Sequence, residues 1–258
     1  MIYNNINIYS IFKNRDCNLM KYLFVFSLFI LSISLTLFAQ EQSPDARTDY
    51  NKLYKSVLDE YGFDQVLDNG FLYIEKYTRK IGHQFFMKDQ LYNGTLVYRG
   101  EVYKGIEMKY DIYDQQLVLS INNNNSTEWI VPHNDFISVF SLGDKFFSKY
   151  NFGGVTRFYQ LVNDTGKVKC LYYWFKQSFD SNNINYLGFS EFTQSEKENY
   201  LLLDGSLKKY TTNRSFTKLF PNEIRAGLRE YIRNNHINVT KSGDEKIKEL
   251  LTFCNSLL

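Results

Sequence analysis

From Phe71 to Tyr210 the chain keeps returning to a period of two, in short runs separated by turn residues. Ile106, Met108, Tyr110 and Ile112 alternate with Glu107, Lys109, Asp111 and Tyr113. Successive strand side chains point to opposite faces, so this pattern predicts one face on a core and one toward water. Asp68-Asn69-Gly70, Arg99-Gly100, Asp114-Gln115-Gln116, Asn163-Asp164-Thr165-Gly166 and Asp204-Gly205 each lie between β-type runs, as hairpin turns do. The predicted strands are Phe71–Tyr77, Thr95–Tyr98, Glu101–Tyr113, Leu117–Ile121, Glu128–Val131, Ile137–Phe140, Val155–Val162, Val168–Phe175, Tyr186–Phe192, Tyr200–Leu203 and Ser206–Tyr210. The run Val168–Phe175 (VKCLYYWF) is apolar on both faces, which requires cover on both sides.

Helical periodicity flanks the strands. Tyr50, Leu53, Tyr54, Val57, Leu58 and Tyr61 recur at helical spacing, with Pro44 before them and Gly62 after, and predict an N-terminal helix over Asp45–Tyr61. Ser215–Phe220 reads as a short helix ended by Pro221. Asn222–Asn235 follows, and a last helix begins at Asp244 with Ile247, Leu250, Leu251, Cys254 and Leu258 on one face. The expected fold is α+β: an N-terminal helix, an antiparallel meander of about ten short strands, and two to three C-terminal helices packed on the sheet. No linker divides it, so residues 40–258 read as one domain. An outer-membrane barrel fits poorly, because several strands are shorter than the ~9–11 residues a spanning strand needs and the chain closes on amphipathic helices.

Residues 1–39 read differently. Leu23–Phe38 is uncharged, Lys21 precedes it, and the small residue Ala39 stands before the polar stretch from Gln40. Charge, apolar run and small residue in that order predict a secretory signal peptide with Met20 as its initiator. The run is short of the roughly 20 residues of a membrane span, so membrane contact is expected only through an uncleaved signal segment. The chain carries 30 Lys+Arg against 28 Asp+Glu. Lys13, Arg15 and Lys21 fall in the removed segment against Asp16, so the small positive charge leaves with it. Nucleic acid is therefore not an expected partner.

Chemical motifs are sparse. His83, His133 and His236 lie far apart, and HxH, HExxH, CxxC, GxSxG and phosphate-cradling glycine motifs are all absent. No cofactor or metal is expected. Cys170 and Cys254 fall in an apolar strand and on an apolar helix face, where buried thiols are expected, although an oxidising compartment permits a disulfide. The 22 Phe and 21 Tyr accompany only 3 Pro and abundant Asn, as AT-rich codons would give, so aromatic abundance alone implies no stacking surface.

Five residues remain as candidate ligand contacts: Asp111, Tyr113, Trp129, His133 and Asp135. A carboxylate beside a phenol at Asp111 and Tyr113 can orient a polar ligand or move a proton. The competing reading makes that stretch a strand end entering a turn. Trp129, after an Asn-rich loop and before Pro132-His133, can stack on a sugar. Glycoside hydrolysis would need two carboxylates ~5–9.5 Å apart, for which Asp111 with Asp135 or Glu101 is the available pairing.

The stretches Asp68-Asn69-Gly70, Gly82-His83-Gln84-Phe85-Phe86 and Gly100-Glu101-Val102-Tyr103-Lys104-Gly105, leading to Tyr110-Asp111-Ile112-Tyr113-Asp114, resemble exported proteins of unknown function from AT-rich Gram-negative bacteria. The resemblance implies export and a β-rich body, and it transfers no active site. The expected function is non-catalytic binding of an unknown small ligand or envelope partner through the sheet, in the periplasm or cell envelope or outside the cell. A secreted carboxylate-dependent hydrolase of a glycan or similar polymer is the alternative.

Overall fold

The computed structural model describes residues 70–258 apart from 124, 125 and 164. The predicted helix Asp45–Tyr61 and the apolar run Leu23–Phe38 lie outside the described residues. Among the described residues no helix is long and apolar enough to cross a membrane.

Among the described residues fourteen strands form two sheets: β1 (Phe71–Leu72), β2 (Lys80–Ile81), β3 (Tyr92–Tyr98), β4 (Glu101–Asp111), β5 (Gln116–Asn123), β6 (Ser126–Val131), β7 (Ile137–Leu142), β8 (Lys145–Phe152), β9 (Val155–Leu161), β10 (Val168–Phe175), β11 (Ser178–Asp180), β12 (Ser190–Phe192), β13 (Glu196–Leu203) and β14 (Ser206–Tyr210). Eleven make one sheet in the order β1-β6-β5-β4-β3-β7-β8-β9-β10-β13-β14, and three make a small sheet, β11-β12-β2. The large sheet is antiparallel at every pairing. It is not a simple meander: β4, β5 and β6 step outward from one edge of β3, and the chain then returns to lay β7 on the other edge. Arg99 and Gly100 turn β3 into β4 with φ of 53° and 85°. Positive φ at both central residues is the turn whose twist matches that of paired strands. Gly94 is required for a different reason, since a Cβ there would lie 1.8 Å from the Ser141 carbonyl oxygen of β7.

The large sheet curls. Tyr110 of β4 and Phe158 of β9 have ring centroids 6.2 Å apart. In a flat sheet the four strand spacings between them would amount to about 19 Å. Tyr110 also meets Phe140 and Phe147 at 5.1 and 5.3 Å, so rings from β4, β7, β8 and β9 fill one core. At the open side the Lys176 N–H donates to the Ile112 carbonyl at 3.3 Å, bringing the end of β10 against the end of β4. Beyond this curl, β10, β13 and β14 carry the helices α1 (Asn213–Lys218), α2 (Asn222–Asn234) and α3 (Asp244–Ser256). Trp174 packs against both cores and donates its indole N–H to Gln160 at 2.7 Å. The α+β reading with C-terminal helices docked on the sheet holds, and the VKCLYYWF strand is covered on both faces as its composition required.

Several boundaries differ from expectation. The strand from Phe71 stops at Leu72, although Tyr73 N–H still donates to Trp129 C=O at 2.7 Å. In the predicted strand Tyr186–Phe192, only Ser190–Phe192 is extended. Residues 184–186 form a 3-10 turn whose Asn183 side chain accepts from the Asn185 N–H. β8 was not predicted, because KFFSKYNF does not alternate cleanly. Its consecutive Phe146 and Phe147 are 56% and 0% exposed. α1 begins two residues early, since the Thr212 hydroxyl caps it by accepting the Ser215 N–H. Asp244 does not cap α3. Gly243 does, and the Asp244 carboxylate reaches across to Lys145 and Gln160, each at 2.9 Å. Leu258 lies past the end of α3 and is 38% exposed. Cys170 and Cys254 are free and buried, and burial pushes the pKa of each thiol up to about 12.

Candidate functional site

The second half of β4 does not face water. Alternation holds, with Tyr110 and Ile112 in the curled core and Lys109 and Asp111 on the opposite face. That opposite face is covered by residues 73–89. Within this cover, Phe86 N–H donates to Tyr110 C=O at 2.8 Å and Ile112 N–H to Gln84 C=O at 3.1 Å. Phe85 bridges Asp111 in antiparallel fashion, so the stretch extends the pairing on β4 past Met108, where β3 begins. It contains Gly82-His83-Gln84-Phe85-Phe86, and it leaves Lys109 8% and Asp111 1% exposed.

Two charged groups are thereby taken from water, and each is compensated differently. The Lys109 ammonium lies between the rings of Phe85 and Trp129, 4.7 and 4.5 Å from their centroids, and donates to Asp89 at 2.5 Å. Aromatic faces attract a desolvated cation, and the carboxylate neutralises it. Asp111 has less support. Its Oδ1 accepts the backbone N–H groups of Tyr113 and Asp114 at 2.9 and 2.8 Å, while its Oδ2 is buried without a partner. Burial drives its pKa up to about 7, and the nearby Asp114 carboxylate adds to this against the two N–H groups and Lys76. Asp111, rather than Asp114, therefore ties the bend after β4. Asp114 instead accepts from the Tyr77 hydroxyl at 2.7 Å and from Lys76 at 3.3 Å.

Tyr113 lies just beyond the strand in a second cation cluster. The Lys80 ammonium sits 4.5, 4.2 and 4.7 Å from the ring centroids of Tyr77, Tyr113 and Phe192. It donates to the Tyr113 hydroxyl at 3.2 Å and to the Ser178 hydroxyl at 3.0 Å. Hydrogen bonds from Ser178 and Lys80 hold the Tyr113 phenol below its ordinary pKa. This cluster fastens the small sheet to the end of β4, and its cage of rings is filled by the chain's own lysine.

Trp129 shares a face with Lys109 and borders a cavity of about 500 Å³. Tyr73 stands 6.2 Å from the Trp129 ring, and Glu75, Asp89 and Glu128 add carboxylates to the cavity wall. His133 is elsewhere, packed edge-on to Phe71 at 4.8 Å and near Phe136 at 6.0 Å. Asp135 is exposed in the turn between β6 and β7, on a separate groove of about 370 Å³ shared with Lys149 and Arg157. The five predicted contacts thus do not converge. Asp111 and Trp129 share a face, Tyr113 adjoins it, and His133 and Asp135 lie away from it.

Lys109, Tyr73, Glu75 and Asp89 were missed. Lys109 had a signal, as a lysine in the middle of a strand beside an aromatic partner strand. The other three sit in an irregular stretch that no periodicity marks. Among the described residues no group of three or more His, Cys, Asp or Glu side chains is placed to hold a metal ion. No family model matches the chain, and no curated protein or solved structure is significantly similar to it.

Proposed function

We propose that this chain is an exported, non-catalytic protein of the periplasm or envelope that binds a saccharide on the covered face of its antiparallel sheet. One observation carries the reading: a cavity of about 500 Å³ in which the Trp129 and Tyr73 rings stand beside Glu75, Asp89 and Glu128. Its size suits a small ligand. Aromatic rings offer apolar faces to the C–H face of a sugar ring, and carboxylates accept its hydroxyl protons. The Lys109 ammonium, held by Asp89, supplies a fixed donor. Export rests on the uncharged run between Lys21 and Ala39.

The hydrolase alternative draws on Asp111, whose elevated pKa suits a general acid. Its carboxyl is only 1% exposed, so it has no route to a substrate without displacement of the cover. A thermal-shift screen of the chain from Gln40 onward against malto-, xylo- and chito-oligosaccharides tests the proposal. One class should raise Tm without being shortened, and Trp129→Ala, whose ligand-free Tm should fall because Lys109 loses one of its rings, should show no ligand-induced shift. Shortening of an oligosaccharide, lost in Asp111→Asn, would establish the hydrolase instead. No shift with any class would overturn the saccharide assignment.

A further inference from the structure

A cavity of about 680 Å³ lies between α1 and α2, among the helices that cover β10, β13 and β14. Arg214, Lys218, Arg225, Arg229, Arg233 and His236 line it, and no Asp or Glu does. Ile232 and Ile237, both buried, form an apolar floor. The chain as a whole carries a formal charge of only +2, so this concentration of one sign is local.

Helix-dipole complementarity accounts for part of it. Lys218 and Arg233 occupy the last turns of α1 and α2, where cations are favourable. It does not account for the rest. Arg225, Arg229 and Arg233 follow one another at i, i+4 and i+8 along α2, and like charges at that spacing repel. Among the described residues, the two carboxylates of α2, Glu223 and Glu230, form no ion pair with this stripe, and Arg214 and Lys218 have none either. Arg225 alone is anchored, its guanidinium donating to the carbonyls of Phe220 and Lys218, each at 2.8 Å. Arg214, Lys218, Arg229 and Arg233 are exposed around that fixed group. The stripe works against the stability of the free helix, and an anion seated in the cavity would offset it.

We infer that this groove binds a small ligand bearing two or more phosphate groups. Guanidinium forks match phosphate oxygens two at a time. Residues four apart on a helix are separated by about 6 Å along its axis, so the stripe can engage several anionic groups of one molecule at once. The concave floor favours a compact ligand over a flat surface.

Isothermal titration with inorganic tripolyphosphate at two salt concentrations tests this. The expected result is one-to-one binding that weakens steeply with salt. Arg229→Gln with Arg233→Gln should weaken it at least tenfold and leave the ligand-free Tm close to wild type, because the like-charge repulsion relieved along α2 offsets the cation lost from its last turn. Lys104→Glu, on the exposed half of β4, should bind as wild type does. A parallel arm uses vesicles of phosphatidylcholine with 30% phosphatidylglycerol. Binding to vesicles with none to tripolyphosphate would make this a membrane-docking face and overturn the inference. So would undetectable binding in both arms, or equal weakening by Lys104→Glu. A large fall in ligand-free Tm for the double variant would assign the arginines to folding instead.

Discussion

The Asp111 carboxyl is held out of water with one oxygen bonded to the Tyr113 and Asp114 N–H groups and the other without a partner. Alternation placed it on the face opposite the core, and there it is, yet 1% exposed because residues 73–89 cross over it. The charged groups around it are Asp114, Lys76 and, more distantly, Lys176, with the phenols of Tyr73 and Tyr77 nearby. Its folded pKa of about 7 lies above the unfolded value, so the folded state holds the proton more tightly. The stability this gives is complete below the unfolded carboxylate pKa and is lost as pH rises through about 7. Urea midpoints should therefore fall between about pH 4 and pH 7 in wild type. Asp111→Asn keeps the acceptor for the Tyr113 and Asp114 N–H groups and cannot ionise. It should match wild type near pH 4, exceed it at pH 8, and flatten that slope. A slope unchanged in the variant would mean that another group titrates. Of the candidate site, Trp129 and Asp111 were legible as types in a pattern. Their partners Tyr73, Glu75 and Asp89 were not, because long-range cover by an irregular stretch leaves no periodic trace.

Among the elements, the helices and hairpins that obey local rules were readable and those set by tertiary contact were not. Val168–Phe175 and Ser206–Tyr210 have the predicted bounds, since hydrophobic composition in one and the Asp204-Gly205 turn before the other fix them locally. β8 and the residues of β11 depend on neighbours that the sequence does not name. α3 is the clearest test at this scale. Ile247, Leu250, Leu251 and Cys254 are buried in the core that it shares with β10, while Lys248 points outward to Glu245 at 2.8 Å. A helix this short is marginal alone and takes its stability from docking. Leu251→Ala should cost about 2–5 kcal/mol, read from the urea midpoint. Lys248→Ala should change it by less than about 0.5 kcal/mol, as exposed pairs contribute little. Equal effects of the two would mean that α3 is not held by that face.

At the scale of the whole molecule, the curl of the large sheet separates two cores with different tasks. Rings from β4, β7, β8 and β9 close one end without any helix, and the helices cover β10, β13 and β14 at the other. This frees the outer face of β4, β5 and β6 for the crossing stretch and the cavity beside Trp129. The strand-rich α+β class followed from periodicity and turn residues. The curl did not, because it depends on how Tyr110, Phe140, Phe147 and Phe158 meet across strands distant in sequence. The proposed function requires that an exported chain hold an intact saccharide in that cavity. Native mass spectrometry of the protein recovered from a periplasmic extract, mixed with malto-, xylo- and chitohexaose, addresses it directly. The expected result is a chain beginning at Gln40 and a single adduct with the mass of one intact hexaose, lost in Trp129→Ala and retained in Asp111→Asn. A chain still beginning at Met20, no adduct, or an adduct unaffected by Trp129→Ala would contradict it.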